Sequence, residues 1–168
     1  MNMSILKKFP VALIAAALLL SFTTTADKAN LAGSWKLNEG KSELGEFGRF
    51  ATRKIKVEQK DDAITISKTS PSFNGGDDVT TTETLTYDGK TSESTVFGNS
   101  KKKSTAKWSD DGKTLTVTFS IAFERNGQTF DVTGTETWSL TEEGKLFVVN
   151  SSTSPQGERT TKAVYDKE

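Results

Sequence analysis

The 168-residue sequence has no cysteine, no histidine, only three prolines and no excess of either charge, with 22 basic and 22 acidic side chains. Without cysteine there is no disulfide framework, no thiolate nucleophile and no point of attachment for a lipoprotein anchor. Without histidine there is no Ser-His-Asp or Cys-His relay, and without either residue there is no Cys/His zinc centre. Catalysis would rest on carboxylates, lysines, tyrosines or hydroxyls. Nucleic acid is not an expected partner, because phosphate recognition calls for a basic excess or stripe. Beyond residue 26 the chain carries 20 basic and 22 acidic residues. Its one basic run, Lys101-Lys102-Lys103, follows Gly98-Asn99-Ser100 and reads as the solvated end of a hairpin.

Long hydrophobic runs are also scarce. The exception is Val11 to Leu20, preceded by Lys7 and Lys8 and followed by Ser21, Phe22 and three threonines up to Ala26. This is the layout of a secretory signal, with Thr24 and Ala26 small enough for the −3 and −1 positions of a cleavage site. The apolar stretch is shorter than the roughly 20 residues of a spanning helix. Residues 1–26 are therefore expected to be a removed signal peptide and 27–168 the mature domain, with no membrane span, exported to periplasm or medium. That length suffices for a core without disulfides.

From Leu31 onward the apolar pattern has period two. In Thr114–Phe123 the odd positions Leu115, Val117, Phe119, Ile121 and Phe123 are apolar and the even ones are Thr, Ser or Ala, as in a strand with one buried face. No stretch of helical periodicity follows the signal. Asp61-Asp62, Asp88-Gly89-Lys90, Asp111-Gly112-Lys113 and Glu143-Gly144-Lys145 punctuate these runs as hairpin turns. Ten strands are expected, near 31–38, 49–60, 63–69, 78–87, 91–97, 103–109, 113–124, 128–141, 145–153 and 159–166. Strand-plus-turn units recur at Thr82–Lys90, Thr105–Lys113 and from Thr135 to the Glu143-Gly144-Lys145 turn, so neighbours in sequence are expected to pair in an antiparallel meander.

The four acidic turns then fall at one end. The connections Glu39–Gly48, Ser70–Asp77, Gly98–Lys102, Arg125–Gly127 and Ser154–Glu158 fall at the other, as the longer loops of an open mouth. Ten strands strain a flat twisted sheet, and closure removes its edges. The expected fold is all-β, an up-and-down meander of eight to ten strands closed into a barrel. An immunoglobulin-like sandwich is the alternative.

Gly33-Ser34-Trp35, at the head of this meander, resembles the Gly-x-Trp signature of the lipocalin and calycin superfamily. The mature chain resembles small secreted bacterial lipocalin-like proteins, through Gly33–Asn38 with Lys41-Ser42 and through Ala163–Lys167. The resemblance implies that Gly33 and Trp35 form a structural motif, with Trp35 plugging the closed end under an arginine of the last strand. Strand direction puts Arg159 at the mouth, so Lys167 or Lys162 is expected there.

Inward parity includes Glu83 in the fourth strand and Glu136 in the eighth, with Arg53 and Lys68 as candidate cations. Buried carboxylates need partners or water. Four readings stay open: a structural polar network or outward-facing glutamates, an anchor for a ligand head group, a general acid/base pair, and a metal site. Asn74–Asp78 lacks the spacing of a calcium loop. Phe47, Phe50, Phe73, Phe123 and Phe130 lie on or beside the mouth loops, as core or as ligand contacts. The leading expectation is a non-enzymatic binder of a small, partly hydrophobic or amphipathic ligand, without cofactor or metal. A solid-packed structural or protein-interaction barrel of the envelope is the alternative, and a carboxylate enzyme is third. The ligand and the oligomeric state are not written in the sequence.

Overall fold

The computed structural model describes residues 26–72, 75–96, 100–125 and 127–168, the side chains of Phe47 and Arg125 excepted. The expected signal peptide, apart from Ala26, lies outside the described residues, as does Phe73. Ten strands follow: β1 (Gly33–Leu37), β2 (Lys54–Gln59), β3 (Ala63–Ser70), β4 (Val79–Thr86), β5 (Ser92–Val96), β6 (Ser100–Trp108), β7 (Leu115–Arg125), β8 (Gln128–Leu140), β9 (Leu146–Ser154) and β10 (Gly157–Lys167). All pairings are antiparallel, in the order β4-β3-β2-β1-β10-β9-β8-β7-β6-β5. The first strand pairs with the last through Trp35 and Lys167, and the sheet curls into a nearly closed barrel.

The run Thr114–Phe123 lies in β7 with Leu115, Val117, Phe119 and Ile121 buried, as alternation requires. Threonine on the outer face is paired across strands: Thr65 with Thr84, Ser67 with Thr82 and Thr69 with Thr80, each within 2.8–2.9 Å. These hydroxyl pairs help to fix the β3–β4 register.

Three expectations are corrected. The meander is interrupted between β4 and β5, which are the two ends of the hydrogen-bonded order. This seam is bridged by side chains, Ser92 Oγ donating to the Thr84 carbonyl at 2.6 Å and Glu83 reaching across to β6. The second strand starts at Lys54, because Gly45–Phe50 form a 3-10 turn, helped by the positive φ of Gly45. The loop asymmetry is also weaker than expected. At the mouth, sixteen residues separate β1 from β2 and eight separate β3 from β4, but only two separate β7 from β8 and β9 from β10. The acidic turns at the other end run to 87–91, 109–114 and 141–145.

The closed end is filled. Leu31, Trp35, Ile55, Ile64, Leu85, Leu115, Trp138 and Leu146 form its buried core. An extended strap before β1 seals it: Ala29 N–H donates to the Gly112 carbonyl at 2.8 Å, and Gln59 is hydrogen-bonded to both Leu31 N–H and the Ala29 carbonyl. Trp35 is 1% exposed, and its Nε1–H donates to the Leu31 carbonyl at 3.0 Å. Lys167 lies over its ring, 5.4 Å from the centroid. Gly33 makes this possible, since a Cβ there would stand 3.0 Å from Lys167 Cε, at a φ of 137°.

Gly134, inward on β8, leaves the space that Phe119 occupies. A Cβ there would fall on the Ser151 carbonyl oxygen and 2.8 Å from the Phe119 ring. Gly134→Ala is expected to cost about 1–3 kcal/mol through overpacking, measurable as a lower urea midpoint with unchanged m-value.

Candidate functional site

The interior is layered. Above the plug, Glu83, Lys102, Ser104 and Glu136 are buried, with Lys68 beside them. Lys68, on β3, spans the barrel to Glu136 on β8, with Nζ 2.7 and 2.6 Å from its two oxygens. Asn150 Nδ2 and Trp138 Nε1 also donate to Glu136, each at 3.1 Å. Lys102 Nζ donates to Glu83 Oε1 at 2.7 Å, and Ser104 Oγ to Oε2 at 3.0 Å. Side-chain exposure is 17% for Lys68, 8% for Glu136, 8% for Lys102 and 7% for Glu83, so both pairs are shielded from screening. Each ammonium also faces an aromatic ring, Lys68 on Trp138 and Lys102 on Phe119, both at 5.1 Å.

Burial raises the Glu136 carboxyl, but the charges of Lys68 and Lys102 and the hydrogen bonds from Lys68 and Asn150 hold it down at about 2. Burial works against the Lys68 ammonium, yet the charges of Glu136 and Glu83 and the hydrogen bond it donates to Glu136 keep its pKa raised. Burial, then the Glu136 charge, pushes the nearby Tyr165 phenol up. A carboxyl with a lowered folded pKa stabilises fully above its unfolded value, and that stabilisation is lost as pH falls. Glu136 should therefore destabilise the fold between its ordinary 4.5 and about 2. Lys68 has the opposite sign: its contribution is present below 10.5 and is lost as pH rises through its raised value. A thermal-midpoint scan should show an acid-side drop in that window, reduced in a Lys68→Met/Glu136→Leu variant.

This arrangement bears on the acid/base reading. A general acid needs a carboxyl protonated near neutral pH, whereas Glu136 is held ionised against Lys68. Among the described residues no group of three acidic side chains is placed to hold a metal.

Toward the mouth lies a second apolar cluster of Val96, Phe119 and Ile121, with Phe123 and Val132 against it. Beyond it opens a cavity of about 340 Å³ between the upper ends of β7–β10, lined by Phe123, Phe130, Val132, Ser152, Gln156 and Arg159 among others. Phe123 pairs with Phe130 across the hairpin, so the two rings share the inner face. At the closed end, a broader depression of about 570 Å³ runs past the strap and is lined by residues such as Lys28, Gln59 and Asp61.

Of the residues singled out in the sequence, Glu83 and Glu136 meet in the polar layer, and Phe123 and Phe130 meet in the cavity. The expected lining by both sets together is not found, since the described lining contains neither glutamate. Arg53 is corrected: it is exposed ahead of β2, and its backbone holds Leu37 and Thr69. Phe50 is half-buried beneath Arg49 and is not part of the described lining. The side chain of Phe47 and the whole of Phe73 lie outside the described residues.

Lys101-Lys102-Lys103 is the other correction. The run lies within β6, and Lys102 is buried. Its signal was available, because Lys102 has the parity of Ser104 and Ala106. Arg159 joins the cavity by the strand direction that kept it from Trp35. Lys162 pairs instead with Glu43 at the surface.

Ten antiparallel strands in an up-and-down order, nearly closed, plugged at one end and open at the other, define a calycin-type β-barrel. The chain is similar to the zebrafish ileal bile acid-binding protein in its crystal structure with cholic acid, at a TM-score of 0.54 and 20% identity, over 82% of this chain and 98% of that one. No family model and no curated protein matches the sequence.

Proposed function

We propose that this protein is an exported, non-enzymatic binding protein that holds a small, partly hydrophobic ligand at the mouth of its barrel. The observation that carries this reading is the cavity of about 340 Å³, walled by inward-facing Phe123, Phe130 and Val132 and rimmed by Ser152, Gln156 and Arg159. An apolar wall with a few polar groups is the usual chemistry of a small-molecule site. The complex of the zebrafish bile acid-binding protein with cholic acid supports an amphipathic ligand. Export rests on Lys7, Lys8, the apolar run Val11–Leu20 and the small residues up to Ala26.

Native mass spectrometry of the protein purified from its own host tests both parts. The expected spectrum shows a polypeptide beginning at Asp27, with a fraction carrying a non-covalent small molecule that is lost in Phe130→Ala. A chain that keeps its first 26 residues overturns export. Absence of any adduct, together with no binding of anilinonaphthalene sulfonate, overturns the ligand reading. A solid-packed envelope barrel then stands in its place, favoured by the filled half around Trp35 and Trp138.

A further inference from the structure

One inward position of β8 carries no side chain. The inner face of this strand presents Phe130, Val132, Gly134, Glu136 and Trp138 in turn. Glycine inside a strand often marks a place where another group comes close. Here that group is Phe119, the register partner of Gly134 on β7. A Cβ on Gly134 would stand 2.8 Å from Phe119 Cζ and 2.9 Å from Ser152 Cα. The Phe119 ring therefore extends over Gly134 toward β9 and fills the room that a side chain would take.

This level is also where the mouth cavity ends. On β8 the described lining stops at Val132, and on β9 it stops at Ser152, the partner of Gly134. Phe119 is 7% exposed and belongs to the buried cluster with Val96 and Ile121. The cavity residues Phe123 and Val132 pack against that cluster. The same ring faces the polar layer, with Lys102 Nζ 5.1 Å from its centroid. The cluster thus stands between the cavity and the ion pairs, and the described lining contains no residue of the polar layer.

Resting on the binding reading above, we infer that Phe119, laid across Gly134, sets the depth of the ligand site and so the longest ligand that it buries. Phe119 is a positioning residue that acts from behind the lining. The ligand lies against Phe123, Phe130 and Val132 and is stopped at the level of Ser152. A short apolar chain is buried whole. A longer one leaves its surplus in solvent at the mouth, where further methylenes add little to affinity.

Displacement of anilinonaphthalene sulfonate from the purified protein by 1-octanol and 1-dodecanol tests this, since the two alcohols differ only in chain length. Burying one methylene is worth up to about fourfold in affinity. In the unaltered protein, dodecanol is expected to bind no more than about tenfold more tightly than octanol, well short of four buried methylenes. Phe119→Ala opens the space below Ser152, and the dodecanol-to-octanol ratio should rise at least about tenfold. Leu115→Ala removes packing from the filled end instead, and should leave the ratio within about twofold. That contrast separates depth from a general loosening of the barrel. If Phe119→Ala fails to fold, Phe119→Leu serves in its place, with an expected rise of about fourfold.

A larger preference for dodecanol in the unaltered protein overturns the inference and leaves the cavity reading standing. So does a ratio that stays level in the folded Phe119 variant, or one that Leu115→Ala raises equally. Displacement by neither alcohol overturns the cavity reading and this inference with it.

Discussion

Trp35→Ala is expected to lower the unfolding free energy by about 3–5 kcal/mol, the range for large aromatic truncations in cores. The indole is 1% exposed and belongs to the cluster that fills the closed end. Three losses combine in this one change. A cavity opens between β1 and the facing core residues. The Leu31 carbonyl loses the Nε1–H donor that fastens the strap. Lys167 loses the ring face over which its ammonium lies. Urea denaturation followed by circular dichroism reads the total. Lys167→Met, which keeps the stem and removes the charge, isolates the cation–π part, for which about 0.5–1 kcal/mol is expected. A Trp35→Ala protein with an unchanged midpoint would mean that the plug does not hold the barrel end together.

Lys68→Met should cost about 3–5 kcal/mol, because it leaves the Glu136 carboxylate buried without its cation. The double variant Lys68→Met/Glu136→Leu should recover most of that loss, since replacing a buried pair by apolar groups of similar volume is often neutral or stabilising. The contrast between single and double variants is the measurement, taken as unfolding free energies near neutral pH. Equal losses would show that the site depends on the pair itself rather than on avoiding an unpaired charge. The single variant should also weaken the acid-side protection traced to Glu136, because the cation that lowers its pKa is gone.

Much of this barrel was legible along the chain. Alternation in Thr114–Phe123 placed β7 and its buried face, and the Asp-Gly and Glu-Gly turns separated the strands. Extending the parity of Trp138 and Leu85 put Glu136 and Glu83 inside, where the structure has them. The same rule, run backward from Ala106, places Lys102 inside. Three adjacent lysines resemble a solvated turn, but in a strand the middle one must face opposite to its neighbours. Arg53 failed for the converse reason: it has the parity of Ile55 and Val57 but lies before β2 begins, where the alternation no longer governs its direction.

What period two determines is the face on which each side chain stands, because that depends only on the local backbone. It therefore yielded the strands, their order of up and down and the inward glutamates, whereas the plug at Trp35 was implied by the resemblance of Gly33-Ser34-Trp35 to the lipocalin and calycin signature. It says nothing about what each inward group meets across the interior. Lys68 and Glu136 are 68 residues apart and sit on strands that are not neighbours in the sheet. Their contact is set by the stagger and curvature of the closed sheet, which sum over all the pairings between them. The seam between β4 and β5, the clasp of Glu83 on Lys102 and Ser104, and the cavity over Ser152 likewise exist only once β1 has paired with β10. Closure decides which inward side chains lie opposite one another, and so whether a buried carboxylate finds a lysine or remains alone.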